Sequence, residues 1–107
     1  MDIQEALRHT VTTHPVVLFM KGSPKFPQCG FSARAVQILQ ACGLESFTAI
    51  DVLADPAVRQ GIKEYSNWPT IPQLYVSGEF IGGSDIMTEM YQSGELQELI
   101  KGLNAAE

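Results

Sequence analysis

Five consecutive apolar residues, Val16-Val17-Leu18-Phe19-Met20, follow His14-Pro15 and end at Lys21. The run is far too short to span a membrane, which takes ~20 residues, but it has the length of a strand. A strand apolar on both sides needs cover on both faces, the situation of a central strand in an α/β sheet. The rest of the chain has to provide that cover and the neighbouring strands.

The flanking pattern does so. Asp2, with Glu5 three positions on, is a helix start. Ile3, Ala6, Leu7, Thr10 and Val11 then recur at helical spacing until His14-Pro15, where the proline pushes its predecessor out of the helical region. Residues 21 to 29 form a loop broken by one glycine and two prolines. From Gly30 to Cys42 the period is helical again, with Ala35, Ile38, Leu39 and Cys42 on one side and Gly43 as the stop. Phe47 to Asp51 alternates as a second strand. Asp55-Pro56 opens a helix lined by Val58, Ile62 and Tyr65, which Gly61 weakens modestly. After the rigid loop Asn67 to Pro72, Leu74-Tyr75-Val76 and Phe80-Ile81 flank a Ser77-Gly78 turn as a hairpin. A helix with Ile86, Met90 and Tyr91 follows, Gly94 interrupts it, and Leu96, Leu99, Ile100 and Leu103 mark a closing helix. The order predicts an α/β domain whose four-stranded mixed sheet carries helices on both faces.

Length and composition agree: 107 residues, 45% hydrophobic and 18% charged, allow one compact domain with its own core. The start Met1-Asp2-Ile3-Gln4-Glu5 lacks a basic region and a following apolar stretch, so a reducing interior, the cytoplasm by default, is expected. The net charge of −5 argues against nucleic-acid binding and a polybasic membrane anchor. The charge is uneven, however. Between Glu5 and Glu45 there is no acid, while Arg8, Lys21, Lys25 and Arg34 give that stretch +4 and leave −9 to the remainder.

Cys29 lies within the basic stretch, at the point where loop becomes helix. Unpaired N–H groups and the positive end of the helix dipole favour a thiolate there, and Lys21, Lys25 and Arg34 are expected to add to the effect. Cys42 falls on the apolar side of the same helix, about 20 Å further on. A disulfide needs Cα atoms within ~7 Å, so the two cannot pair within an unstrained helix, nor share a metal ion. Cys42 reads as core packing. Ser32 stands where a C-x-x-C pair would carry its second sulfur, so the chemistry is that of one thiol. His9 and His14 have no ligand spacing and read as surface residues. Met87 and Met90 fit helix packing.

Cys29-Gly30-Phe31-Ser32, Lys21, Trp68-Pro69-Thr70-Ile71-Pro72 and Gly82-Gly83-Ser84-Asp85 together resemble a monothiol glutaredoxin of the C-G-F-S type. The resemblance runs from the first helix to about Gly102 and implies one glutaredoxin domain across residues 1–107, with the thioredoxin-like fold. It implies a cis bond before Pro72, which frees the Ile71 backbone to pair with the cysteine of glutathione. Lys21 and Arg59 would meet the glycine carboxylate of that tripeptide. Gly83 and Ser84 would offer N–H groups to its γ-glutamyl carboxylate, and Asp85 would pair with its ammonium. Phe31 and Thr70 complete the expected cofactor-binding set, with Cys29 as both catalytic residue and metal ligand. Trp68 belongs to the loop associated with iron–sulfur carriers, without an assigned contact. Many relatives have cysteine where this chain has Ser84; with serine there, no disulfide can form from that position to Cys29.

A 2Fe-2S cluster wants four thiolate-type ligands, and this chain offers one that is exposed. The resemblance implies a homodimer in which two Cys29 sulfurs and two glutathiones hold the cluster for transfer to iron–sulfur recipient proteins, with BolA-like proteins as further partners. The alternative is an oxidoreductase that reduces glutathione mixed disulfides through Cys29, and a weaker one is a redox sensor glutathionylated at Cys29.

Overall fold

Pro15 ends the first helix and delivers the chain into the central strand. A computed structural model describes residues 2–44 and 46–105. Helix α1 spans Ile3–Thr13, capped by the Asp2 carboxylate, which accepts from the Glu5 N–H at 2.9 Å. Strand β1 is Val16–Met20 and is buried at every residue. Helix α2, Gly30–Ala41, strand β2, Thr48–Asp51, and helix α3, Pro56–Ser66, follow. The hairpin is β3, Gln73–Val76, with β4, Glu79–Gly82, and helices α4, Ser84–Ser93, and α5, Glu95–Ala105, complete the order.

The sheet order is β2-β1-β3-β4, with β1 parallel to β2 and antiparallel to β3. Successive side chains of a strand point to opposite faces, so the central run divides between two cores. Val16, Leu18 and Met20 pack with Ala35, Val36 and Leu39 of α2, Met87 of α4, and Leu96 and Ile100 of α5. Val17 and Phe19 face the other way, onto Leu7 and Val11 of α1 and Ile62 of α3. Helices therefore cover both faces, as the apolar run required.

Small differences from the sequence reading have local causes. β2 begins at Thr48 rather than Phe47, and the hairpin strands extend to Gln73 and to Glu79–Gly82. Helix α2 ends at Ala41, leaving Cys42 as its C-cap. Gly61 does more than weaken α3: an added Cβ would lie 2.9 Å from Ile3 Cγ1, so the glycine lets α1 and α3 approach. Gln4 uses that proximity to donate to the Gly61 carbonyl at 3.0 Å. Among the described residues, no helix is long and apolar enough to cross a membrane.

The loop from Lys21 to Gln28 is folded on itself. Gly22 bridges to Pro27, the Gln28 N–H donates to the Lys21 carbonyl at 2.9 Å, and Ser23 and Phe26 exchange main-chain hydrogen bonds. The Asp51 carboxylate at the end of β2 accepts from the Gly22 and Leu53 N–H groups, both at 2.9 Å. Gly22 has φ +88°, and a Cβ there would lie 2.5 Å from the Phe26 carbonyl oxygen. Gly22→Ala is therefore expected to cost about 2–3 kcal/mol, read as a lower midpoint in urea denaturation.

Candidate functional site: a thiol at the rim of a cationic cleft

Cys29 is the N-cap of α2, with extended backbone (φ −156°, ψ 138°) and half-buried. Its side chain makes no capping hydrogen bond, but it sits beside the first-turn N–H groups that no helix carbonyl can satisfy. The Ser32 N–H contributes most to holding the thiol below the ordinary cysteine range. Partial burial opposes it, and the Phe31 N–H, the Lys21 charge and the Ser32 hydroxyl add to it. The shift thus comes chiefly from backbone dipoles, with charge in a supporting role. Lys21 is the basic side chain that favours the thiolate. Arg34 instead donates to the Thr88 hydroxyl at 3.1 Å, bridging α2 to α4, and Lys25 is exposed on the loop.

Ser32 is more than a missing cysteine. Its side chain is fully buried and its hydroxyl accepts from the Lys21 N–H at 3.0 Å, tying the first turn of α2 to the end of β1. Cys42 caps the opposite end of the helix, packs partly buried against the core, and has its thiol pushed up by burial. Its packing role holds, at the edge of the core rather than inside it. His9 and His14 are exposed, while Met87 is buried and Met90 packs beside the same core.

Facing Cys29 is a cleft of about 490 Å³. Its walls contain all ten residues singled out in the sequence: Lys21, Cys29, Phe31, Arg59, Thr70, Ile71, Pro72, Gly83, Ser84 and Asp85. The Ile71-Pro72 bond is cis. Ser84 opens α4 with Gly83 as N-cap, so the first-turn N–H groups that no helix carbonyl takes up lie at this wall of the cleft. Lys63, Trp68, Pro69 and Ile86 also line it and were not assigned a contact from sequence. Lys63 could have been found, since it lies one helical turn after Arg59 on the same face of α3. Trp68 is seated by a contact with Phe80 at 5.9 Å between ring centroids, a pairing no local pattern encodes.

The cleft therefore has three cationic side chains, Lys21, Arg59 and Lys63, against one acid, Asp85. It suits a small anionic ligand that carries one positive group, held beside a nucleophilic sulfur. Among the described residues no group of three or more His, Cys, Asp and Glu side chains could hold a metal ion. The fold and site together define a thioredoxin-like protein with a single thiol on its cleft.

Comparison with known proteins narrows the class. Residues 16–81 match the glutaredoxin family model, described as Glutaredoxin. The chain is 64% identical over 91 residues to an uncharacterized monothiol glutaredoxin ycf64-like protein of Synechocystis, covering 85% of this chain and 84% of the relative. It is 56% identical over 97 residues to Glutaredoxin 4 of Escherichia coli K12, covering 91% and 84%. The solution structure of reduced poplar apo GrxS14 superposes with TM-score 0.80 at 53% identity, covering 94% of this chain and 91% of that one. The chain belongs to the glutaredoxin family, as a monothiol member of the C-G-F-S type.

The two thiols are shifted in opposite directions, so their alkylation should separate with pH. Iodoacetamide labelling followed by mass spectrometry should modify Cys29 with a midpoint below that of an unperturbed thiol and Cys42 with a midpoint above it. Removing a hydrogen-bond donor disfavours the thiolate, so Ser32→Ala should move the Cys29 midpoint upward. The reverse order of the two thiols would contradict the site.

Proposed function

We propose that this protein binds glutathione in the cleft and, as a homodimer, carries a bridging 2Fe-2S cluster to recipient proteins. The observation that carries the reading is the single thiolate-favouring Cys29 at the rim of a cationic cleft, with no second cysteine near it. In this reading Lys21 and Arg59 bind the glycine carboxylate, the Gly83 and Ser84 N–H groups bind the γ-glutamyl carboxylate, and Asp85 binds the ammonium. Ile71 pairs through its main chain beside Thr70 and Pro72, and Phe31 closes the side next to the sulfur. The glutathione thiol then lies close to Cys29.

The residues present fit the cluster as cargo rather than as a fixed centre. One chain contributes one sulfur at the cleft, and four thiolate-type ligands are required. Two Cys29 sulfurs and two glutathione sulfurs make up the set, so half the ligands are non-covalently held and the cluster can leave. BolA-like proteins and iron–sulfur recipients are the partners this arrangement serves, in the cytoplasm, where a lone thiol stays reduced. The whole chain acts as one glutaredoxin domain, with no role for nucleic acid or membrane.

The depressed thiol pKa supports a second activity at the same sulfur. The Cys29 thiolate attacks the glutathione sulfur of a mixed disulfide, forming a Cys29–glutathione disulfide and releasing the other thiolate, which takes up a proton. A second glutathione, as thiolate, then displaces Cys29 and leaves as glutathione disulfide.

Anaerobic reconstitution with iron, sulfide and glutathione tests the carrier reading. A visible cluster spectrum on a dimeric species is expected, absent without glutathione and absent in Cys29→Ser, but kept in Cys42→Ser. Lys21→Ala should weaken glutathione binding roughly tenfold and shorten the lifetime of the cluster. A cluster retained by Cys29→Ser would overturn the reading.

A further inference from the structure

Gln73 opens β3 with a wholly buried side chain, although its strand neighbours Leu74, Tyr75 and Val76 are apolar or aromatic. A buried carboxamide is costly unless its donors and acceptor are satisfied. Here each finds a partner. Nε2 donates to the Trp68 carbonyl at 3.1 Å and to the Thr70 carbonyl at 3.3 Å. Oε1 accepts from the Tyr75 hydroxyl at 3.1 Å. The orientation is dictated chemically, because a reversed amide would set its oxygen against two carbonyl oxygens. Tyr75 is in turn immobilised, its ring packed against Phe19, Tyr65 and Phe80 at centroid distances of 5.6, 6.0 and 5.4 Å.

Both carbonyls that Gln73 holds belong to the loop walling the cleft. Trp68, Pro69 and Thr70 are exposed. The Trp68 ring rests on Phe80 and its main-chain N–H donates to the Lys63 carbonyl and the Ser66 hydroxyl, both at 3.1 Å, but these contacts stop short of Pro69 and Thr70. The next residue, Ile71, precedes the β1–β3 ladder, whose register starts at Gln73. One buried side chain thus connects the rigid aromatic core to the loop on either side of Pro69.

We propose that Gln73 is a positioning residue, which by clamping the Trp68 and Thr70 carbonyls holds the Ile71 main chain in the attitude that meets glutathione. The inference rests on the glutathione reading above and assigns a function to a residue that touches no ligand. Gln73 lies outside the cleft lining, so its effect must pass through the loop and leave the thiol at the start of α2 unchanged.

The test measures S-methylglutathione binding by calorimetry, a probe that cannot form a disulfide with Cys29. Gln73→Leu, which leaves both carbonyls without their donor, should bind about five- to tenfold more weakly, with the Cys29 alkylation midpoint as in the wild type. Gln73→Glu discriminates positioning from general damage. Ionised, it cannot donate and repels the carbonyls; protonated, it regains one O–H donor. Its affinity relative to wild type should therefore rise as the pH falls from about 8 to about 5, a range over which a carboxyl raised by burial takes up its proton. Tyr75, whose hydroxyl is pushed up to about 12 chiefly by burial, stays neutral throughout. If Gln73→Leu misfolds, the pH dependence of Gln73→Glu decides alone. Wild-type affinity in a folded Gln73→Leu, or a Gln73→Glu deficit that does not change with pH, overturns the inference while leaving the glutathione reading intact. A wild-type protein that binds no S-methylglutathione overturns both.

Discussion

The hydrogen bond from the Lys21 N–H to the Ser32 hydroxyl fixes the working end of the molecule. It joins the last turn of chain after the central strand to the first turn of α2, and everything at the thiol depends on that junction. With the helix start held there, the N–H groups of Ser32 and Phe31 help to lower the Cys29 pKa. Lys21, carried by the same junction, adds its charge from the cleft side. The position that a dithiol enzyme gives to a second sulfur has become a structural clamp.

Charge on the scale of the whole chain says little about this site. The protein carries −5, yet the cleft walls carry three cations and one acid. Electrostatic preference at a ligand site is set by groups within a few ångströms and by oriented backbone dipoles, both screened from distant acids by solvent. The N–H groups at the start of α4 extend the same favourable field to the far side of the cleft, where Asp85 supplies the one opposing charge. A zwitterionic peptide with two carboxylates and one ammonium matches that arrangement better than a simple anion.

Much of the fold was legible because its signals are local. The two-sided burial of β1 follows from five apolar residues, and the helix starts at Asp2 and Asp55 from their capping side chains. The residues that line the cleft were legible through short motifs that keep Cys29, Thr70-Ile71-Pro72 and Gly83-Ser84-Asp85 in fixed order along the chain. What sequence did not reveal depends on contacts between distant segments. The basic stretch around Cys29 suggested three helping charges, but Arg34 is drawn across to Thr88, 54 positions away, and leaves Lys21 to act. Trp68 reaches the cleft wall because Phe80 supports its ring, and Gln73 is silent in a pattern of apolar strand residues until its three partners are seen. Gly61 reads as a flaw in a helix, and only the crossing of α1 over α3 explains it.

In the proposed function the cluster is shared, with each chain giving one sulfur and each glutathione another. Native mass spectrometry of the reconstituted protein, sprayed without oxygen, measures that composition directly. The predicted species contains two chains, one 2Fe-2S cluster and two glutathiones, and releases the glutathiones and the cluster together on activation. A cluster bound to a single chain, or a cluster-bridged dimer with no glutathione, would contradict it.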